Sequence, residues 1–227
     1  MALSGGVDSA VSAALLQDEG HEVNLAYVKT WENEEDLLGE CPGAKDLADA
    51  KAVAKTLKLP FEVVNLINFY HENVVLPMVE GYRDGVTPNP DVTCNRVMKF
   101  GALLKYAQNA GFDALATGHY CHREVSPDGI PQLWEGSDKN KEQSYFLARI
   151  LPEQLEAARF PLGKWDKSEV RKIAANLNLP IADKKDSQGI CFLGKVKVAD
   201  FLEKFLEDRP GDIVTTDGRV VGKHRGL

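Results

Sequence analysis

The chain has 227 residues, 44% of them apolar, and a formal net charge of −7. That is enough for one large core, or one core with a small appendage, while the acidic balance argues against a uniformly basic nucleic-acid binder. No apolar run approaches the ~20 residues that a bilayer requires, and no signal peptide is visible. The composition therefore points to a chain with no membrane association, in the cytoplasm, or in the mitochondrial matrix if a transit segment precedes it.

The charge is uneven. Residues 1–163 carry 14 basic and 24 acidic side chains, net −10, and residues 164–227 carry 13 and 10, net +3. The last third could hold a polyanion, or it could be an ordinary solvated surface. Four cysteines (Cys41, Cys94, Cys121 and Cys191) include no C-x-x-C pair, which argues against a disulfide scaffold and a ribbon-type zinc site.

Helical and strand patterns alternate along the chain, the mark of a parallel sheet covered by helices. Ser4-Gly5-Gly6-Val7-Asp8-Ser9 leads straight into a helical stretch from Ser9 to Leu16. Glycines let the backbone turn tightly, and successive amides at a helix N-terminus point donors at an anion. Asp8 would repel phosphate unless a cation lay between them, which points to Mg2+ at Asp8. The loop lacks the Gly-Lys-Ser/Thr ending of a Walker A motif, so no lysine of its own reaches the terminal phosphates.

Glu22–Val28 reads as a strand, Glu32–Glu40 as an acidic surface loop, and Asp46–Leu59 as a helix with Leu47, Ala50, Val53, Ala54 and Leu57 at helical spacing. Phe61–Leu66 reads as a second strand and Phe69–Tyr82 as helical. Thr87-Pro88-Asn89-Pro90-Asp91-Val92-Thr93-Cys94-Asn95 is a stiff turn presenting Cys94 just ahead of a helix predicted over Lys99–Ala110. A thiol near a helix N-terminus is a better nucleophile at neutral pH, although a single cysteine is more often a small core residue.

Ala114–Thr117 reads as a strand, Pro127-Asp128-Gly129 as a turn, and Gln143–Ile150 and Lys167–Leu177 as helices. Asp186-Ser187-Gln188-Gly189-Ile190-Cys191-Phe192 again sets glycine beside a thiol. Ile213–Val221 reads as a hairpin about Asp217-Gly218. His21, His71 and His122 read as surface or packing residues, the His119, Cys121, His122 group as no metal site, and Lys184 and Lys185 as phosphate-facing or solvated.

S-G-G-x-D-S is the pattern of the PP-loop ATP pyrophosphatases. With both cysteine segments it resembles the tRNA-specific 2-thiouridylases, as do Tyr27-Val28-Lys29-Thr30-Trp31, Ala116-Thr117-Gly118-His119-Tyr120, the stretch 138–147 and Gly222-Lys223-His224-Arg225-Gly226-Leu227. The resemblance implies an α/β fold, a parallel sheet with helices on both faces (a Rossmann variant of the adenine nucleotide alpha-hydrolase type), with a small C-terminal α+β appendage. It implies a catalytic domain over residues 1–190 and the incomplete start of a tRNA-contacting domain over residues 191–227, with a complete first strand and a C-terminal β-barrel expected in full-length members.

As for function, it implies ATP-dependent adenylation of a wobble uridine 2-oxygen in tRNA, then sulfur transfer from a cysteine persulfide, with AMP and pyrophosphate released. Ala2, Leu3, Ser4, Gly5, Gly6, Val7, Asp8, Ser9, Val28 and Gly118 would bind ATP. Asn89, Pro90 and Asp91 would meet the target base, and His119, Lys141, Glu142 and Gln143 would touch tRNA. Cys191 would carry sulfur delivered by a persulfide donor protein, and Cys94 would be the partner nucleophile that forms a disulfide with it. Val28 and Glu142 stand where the family carries Met and Asp. The competing expectations are an adenylating ligase acting on a small carboxylate or amide, with structural cysteines, and a fragment that only binds ATP or tRNA.

Overall fold

The computed structural model describes residues 1–31, 42–186 and 198–226. Its organising element is a parallel sheet whose centre is residues 1–3. Ala26 N–H donates to the Met1 carbonyl and Leu3 N–H to the Ala26 carbonyl, both at 2.9 Å, while Ala2 N–H donates at 2.9 Å to Ala116 on the other side. Strand β1 (Leu25–Lys29) pairs in parallel with β2 (Phe61–Asn65), Leu25 opposite Phe61. On the far side β3 (Leu115–Ala116) pairs in parallel with a later strand, Ala158–Arg159. The order across the sheet is therefore β2, β1, residues 1–3, β3 and Ala158–Arg159, with the chain's first segment in the middle.

Strands buried on both faces are apolar throughout, and successive side chains alternate between the faces. Leu25 enters one core and Ala26 the other; Leu115 and Ala116 divide the same way. One face is covered by the helices Val7–Asp18, Pro42–Leu57 and Lys167–Asn176, through Val11, Val53 and Val170 among others. The other is covered by the helical runs 67–83 and 90–109 and by the short helix Val198–Leu202, through Tyr70, Met98, Phe100 and Phe201. The α/β architecture with helices on both faces is the expected one.

The helix Pro42–Leu57 buries Ala50, Val53, Ala54 and Leu57, the stripe expected from spacing. It ends one turn before Pro60 because Lys58 takes the left-handed conformation, φ 55°, and Leu59 N–H closes back on the Ala54 carbonyl.

Three local readings are corrected. Cys94 does not precede its helix; it is the fifth residue of the helix Pro90–Cys94, which runs on into a wider π-type stretch, Asn95–Leu103. The Asn89 side chain accepts from the Asp91 and Val92 amides, both at 3.1 Å, and proline suits the first helical position. The Asn-Pro pair read as a stiff turn is thus a helix start. Gln143–Ile150 forms only a short 3-10 turn, Ser144–Leu147, because Gln143 is tied by backbone and side chain to Tyr120. The turn at Pro127-Asp128-Gly129 joins an antiparallel hairpin, β4 (Cys121–Val125) with β5 (Pro131–Glu135), that periodicity did not reveal.

Ala158–Arg159, the last strand of the sheet, is β6; beyond the sheet β7 (Gly211–Val214) pairs with β8 (Val220–His224) about Gly218, φ 85°, as expected from Asp217-Gly218. Phe201 of the preceding helix is buried and meets Trp31 edge-on at 6.3 Å. The acidic stretch 32–40, Cys41 and the Cys191 segment from Ser187 onward lie outside the described residues.

His119 follows β3 and is buried between the rings of Phe100 and Phe160, with Thr117 Oγ1 2.7 Å from its Nδ1. Burial, aided by the charge of Lys99, holds its pKa well below the usual imidazole range. The unfolded chain takes up a proton at His119 near pH 6.5 and the folded chain does not. The stability this contributes is full above that pH and falls on acidification, by about 1.4 kcal/mol per pH unit. Urea unfolding at pH 7.5, 6.0 and 5.0 should show this slope, and His119→Asn should flatten it by about one proton.

Candidate functional site

Residues 1–3, at the centre of the sheet, end at the carboxyl ends of its parallel strands, and the chain turns through Ser4, Gly5 and Gly6 into the helix Val7–Asp18. The turn is held from within. Ser4 N–H donates to Ser9 Oγ at 3.1 Å, the Ser4 and Ser9 hydroxyls lie 3.1 Å apart, and Ser9 Oγ donates to the Gly6 carbonyl at 3.1 Å. Gly6 caps the helix without a side chain, so the first helical amides keep their donors for an anion.

Two glycines make this geometry possible. Gly5 has φ 77°, and a Cβ there would sit 2.3 Å from the Asp46 carbonyl oxygen of the helix Pro42–Leu57. Gly118, at the end of β3, abuts the loop so closely that a Cβ would lie 2.9 Å from the Ser9 nitrogen. Gly118 therefore stands beside the loop Ser4–Ser9. Val28 lies farther along β1 with its side chain buried in the core, leaving only its backbone for a ligand.

Asp8, second residue of the helix, is the hub of the charges. Its Oδ1 accepts from the Tyr120 hydroxyl at 2.8 Å and from Lys167 Nζ at 2.7 Å. Lys167 also pairs with Asp186 Oδ1 at 2.8 Å; Asp186 in turn receives Lys141 and Arg171, each at 2.7 Å. Partial burial pushes the Asp186 carboxyl up, but hydrogen bonds from Lys141 and Lys167 outweigh it and hold the group at about 2. The Tyr120 hydroxyl is driven well above its ordinary range by burial and by the Asp8 charge. On the opposite side of the loop, Lys184 Nζ donates to the Gly5 carbonyl at 2.9 Å and pairs with Asp46 and Asp49 at 2.7 and 2.5 Å.

Lys184 thus faces the loop and its flanking acids, while Lys185 is exposed. Tyr120, Lys167 and Asp186 are candidate site residues that sequence patterning does not single out. Lys167 stands 159 positions from Asp8, and no local motif carries that pairing.

The other expected residues are placed as follows. Asn89 is exposed and caps its helix; Pro90 and Asp91 form the first turn. Cys94 is 1% exposed, packed in the core with Met98 and Phe100. Lys141 is bound to Asp186, Glu142 accepts the Ser144 amide, and Gln143 clasps Tyr120. His122 stacks on Trp134, and burial, with the charge of Glu142, drives the Cys121 thiol up. Among the described residues no group of three or more His, Cys, Asp or Glu could hold a metal ion by itself. Asp8 is a hard oxygen donor at the cradle. It fits a Mg2+ ion that takes its remaining ligands from phosphate and water, as this ion usually does.

The two glycines give a direct test. Gly5→Ala sets a methyl group against immovable backbone in a left-handed conformation, whereas a Cβ added at Gly20, φ 84°, would meet nothing within 4 Å. Gly20→Ala should cost about 1 kcal/mol of backbone strain. Gly5→Ala should cost several times more in urea unfolding, or prevent folding.

The family model described as "tRNA methyl transferase HUP domain" matches residues 1–195. A protein of Akkermansia muciniphila named tRNA-specific 2-thiouridylase MnmA is 55% identical over 99% of this chain and 63% of its own length. Proteins of the same name from Christiangramia forsetii and Aeromonas hydrophila are 45% and 48% identical, over 99% of this chain and 66% and 61% of theirs. The chain spans a little under two thirds of the length of these relatives. By the extent of the family match, the chain belongs to the tRNA methyl transferase HUP domain family.

Proposed function

We propose that the chain is the ATP-using catalytic part of a tRNA-uridine 2-sulfurtransferase. Its reaction is adenylation of a wobble uridine 2-oxygen, followed by replacement of that oxygen with sulfur, releasing AMP and pyrophosphate. The observation that carries the reading is the cradle of Ser4–Ser9, closed by Gly118 and bearing one carboxylate, Asp8, held by Tyr120 and Lys167. Such a cradle takes phosphate through backbone amides and a helix N-terminus. The relatives' name supplies the acceptor, a uridine in tRNA.

Ala2 to Ser9 with Gly118 would hold the nucleotide, and the backbone of Val28 would meet its base. Asp8 would hold Mg2+, which when bound neutralises phosphate charge. Asn89, Pro90 and Asp91 would face the target base and Lys141 to Gln143 would contribute to tRNA binding, while His119, enclosed between Phe100 and Phe160, would contribute only by holding the segment after β3 in place. A wobble uridine in an anticodon loop can leave its stack at modest cost. The catalytic unit would be residues 1–190, and residues 191–227 would begin the tRNA-contacting part, in a cytoplasmic protein.

Sulfur would arrive from a persulfide donor protein as a persulfide on Cys191 and pass to the activated carbon as Cys94 closes onto Cys191 in a disulfide. Asp186, five residues before Cys191, is joined to Asp8 through Lys167, and five residues reach at most about 18 Å. That tether supports delivery near the cradle. Cys94 lies in the core, so its reaction requires the Pro90–Cys94 helix to shift when tRNA binds.

The burial of Cys94 favours a second reading, an adenylating ligase with structural cysteines, and one experiment separates the two. In a chain of the relatives' full length, given tRNA, ATP, Mg2+ and a persulfide donor, Cys94→Ser and Cys191→Ser should each lower 2-thiouridine at least about 100-fold by nucleoside mass spectrometry and leave ATP binding intact. Normal thiouridine from either variant removes that cysteine from the mechanism.

A further inference from the structure

The loop has no lysine of its own, yet in the fold a lysine stands at it. We propose that Lys167 is the residue that binds the β- and γ-phosphates of ATP and neutralises the pyrophosphate as it leaves. The inference rests on the nucleotide reading above and goes beyond it in assigning this residue.

Lys167 opens the helix Lys167–Asn176, whose start is fixed by the capping box of Asp166 and Glu169. Its own amide donates to Asp138 Oδ2 at 2.9 Å, so the side chain leaves from an anchored backbone. Its ammonium lies 2.7 Å from Asp8 Oδ1 and 2.8 Å from Asp186 Oδ1, and 5.9 Å from the centre of the Tyr120 ring. The side chain is only 11% exposed. A cation so enclosed needs anions around it, and here one of them is the carboxylate of the phosphate loop itself.

The neighbouring cations are placed otherwise. Lys184 clasps the outer side of the loop through the Gly5 carbonyl, Asp46 and Asp49, and Lys141 and Arg171 hold Asp186. Among these four, Lys167 is the one ion-paired with Asp8. A phosphate seated on the helix amides beside Asp8 would come within reach of its flexible four-carbon arm.

In the step that follows, a lone pair of the uridine 2-oxygen forms a bond to the α-phosphorus. The bond from that phosphorus to the α–β bridging oxygen breaks, its electron pair leaves with pyrophosphate, and the uridine N3 proton passes to water. Lys167 neither gives nor takes a proton; its fixed positive charge meets the charge that develops on the leaving group.

The test is calorimetric binding of ATP, pyrophosphate and AMP, each with Mg2+, to the chain and its variants. Lys167→Met should weaken ATP and pyrophosphate about tenfold or more and AMP by less than about twofold. Lys167→Arg should recover most of the ATP affinity. Lys139→Met, which removes an exposed ammonium paired with Glu135, should change none of the three. Should Lys167→Met fail to fold, acetylation of the unaltered chain gives the same answer by peptide mass spectrometry: pyrophosphate should protect Lys167 and AMP should not.

Unchanged ATP and pyrophosphate binding by Lys167→Met, equal loss of AMP, or equal protection by AMP would overturn the assignment while the nucleotide reading stands. An unaltered chain that binds none of the three ligands would overturn both.

Discussion

The structure depends on how closely three backbones approach at the end of the central strand. The loop Ser4–Ser9, the Asp46 turn of the helix Pro42–Leu57 and the end of β3 at Gly118 meet at distances that leave no room for a Cβ at Gly5 or Gly118. This closeness fixes the turn that sets Gly6 ahead of the Val7–Asp18 helix, whose first amides no side chain caps. The small residues Ala10, Ser12 and Ala13 let that helix lie flat on the sheet. A larger side chain at either glycine would displace the cradle before it affected any ligand.

Around the cradle the fold places alternating charges. Asp8, Lys167, Asp186, Lys141 and Arg171 form one chain of ion pairs, and Lys184, Asp46 and Asp49 form another on the loop's outer side. Exposed pairs contribute little to stability, but these are partly enclosed and hold segments far apart in sequence. The network draws residues 138–141, 166–171 and 184–186 to the first helix, so Asp186 stands beside the loop Ser4–Ser9.

Much of this was legible in the residues alone. Apolar runs in β1 and β2, the 3.6-residue stripe of Ala50, Val53, Ala54 and Leu57, and the Gly-rich turn before a helix each carry a local physical signature. The fold class and the cradle follow from them. The hairpin Cys121–Val125 with Pro131–Glu135 has one exposed face and only partial alternation, so the turn was visible and its strands were not. The helix start at Asn89-Pro90 was masked by two prolines that read equally well as a stiff turn. Lys167 and Asp186 could not be read as site residues, because an ion pair between positions 159 residues apart leaves no trace in spacing.

The central claim is that the cradle activates a uridine oxygen by transfer of the adenylyl group. The most direct measurement follows the fate of ATP labelled in its α-phosphate when the chain is given tRNA with a wobble uridine. The account predicts pyrophosphate together with label carried on the tRNA, released as AMP once a persulfide is supplied, and both only when that uridine is present. Labelled ADP with free phosphate, or AMP formed equally well on tRNA lacking the uridine, would contradict it.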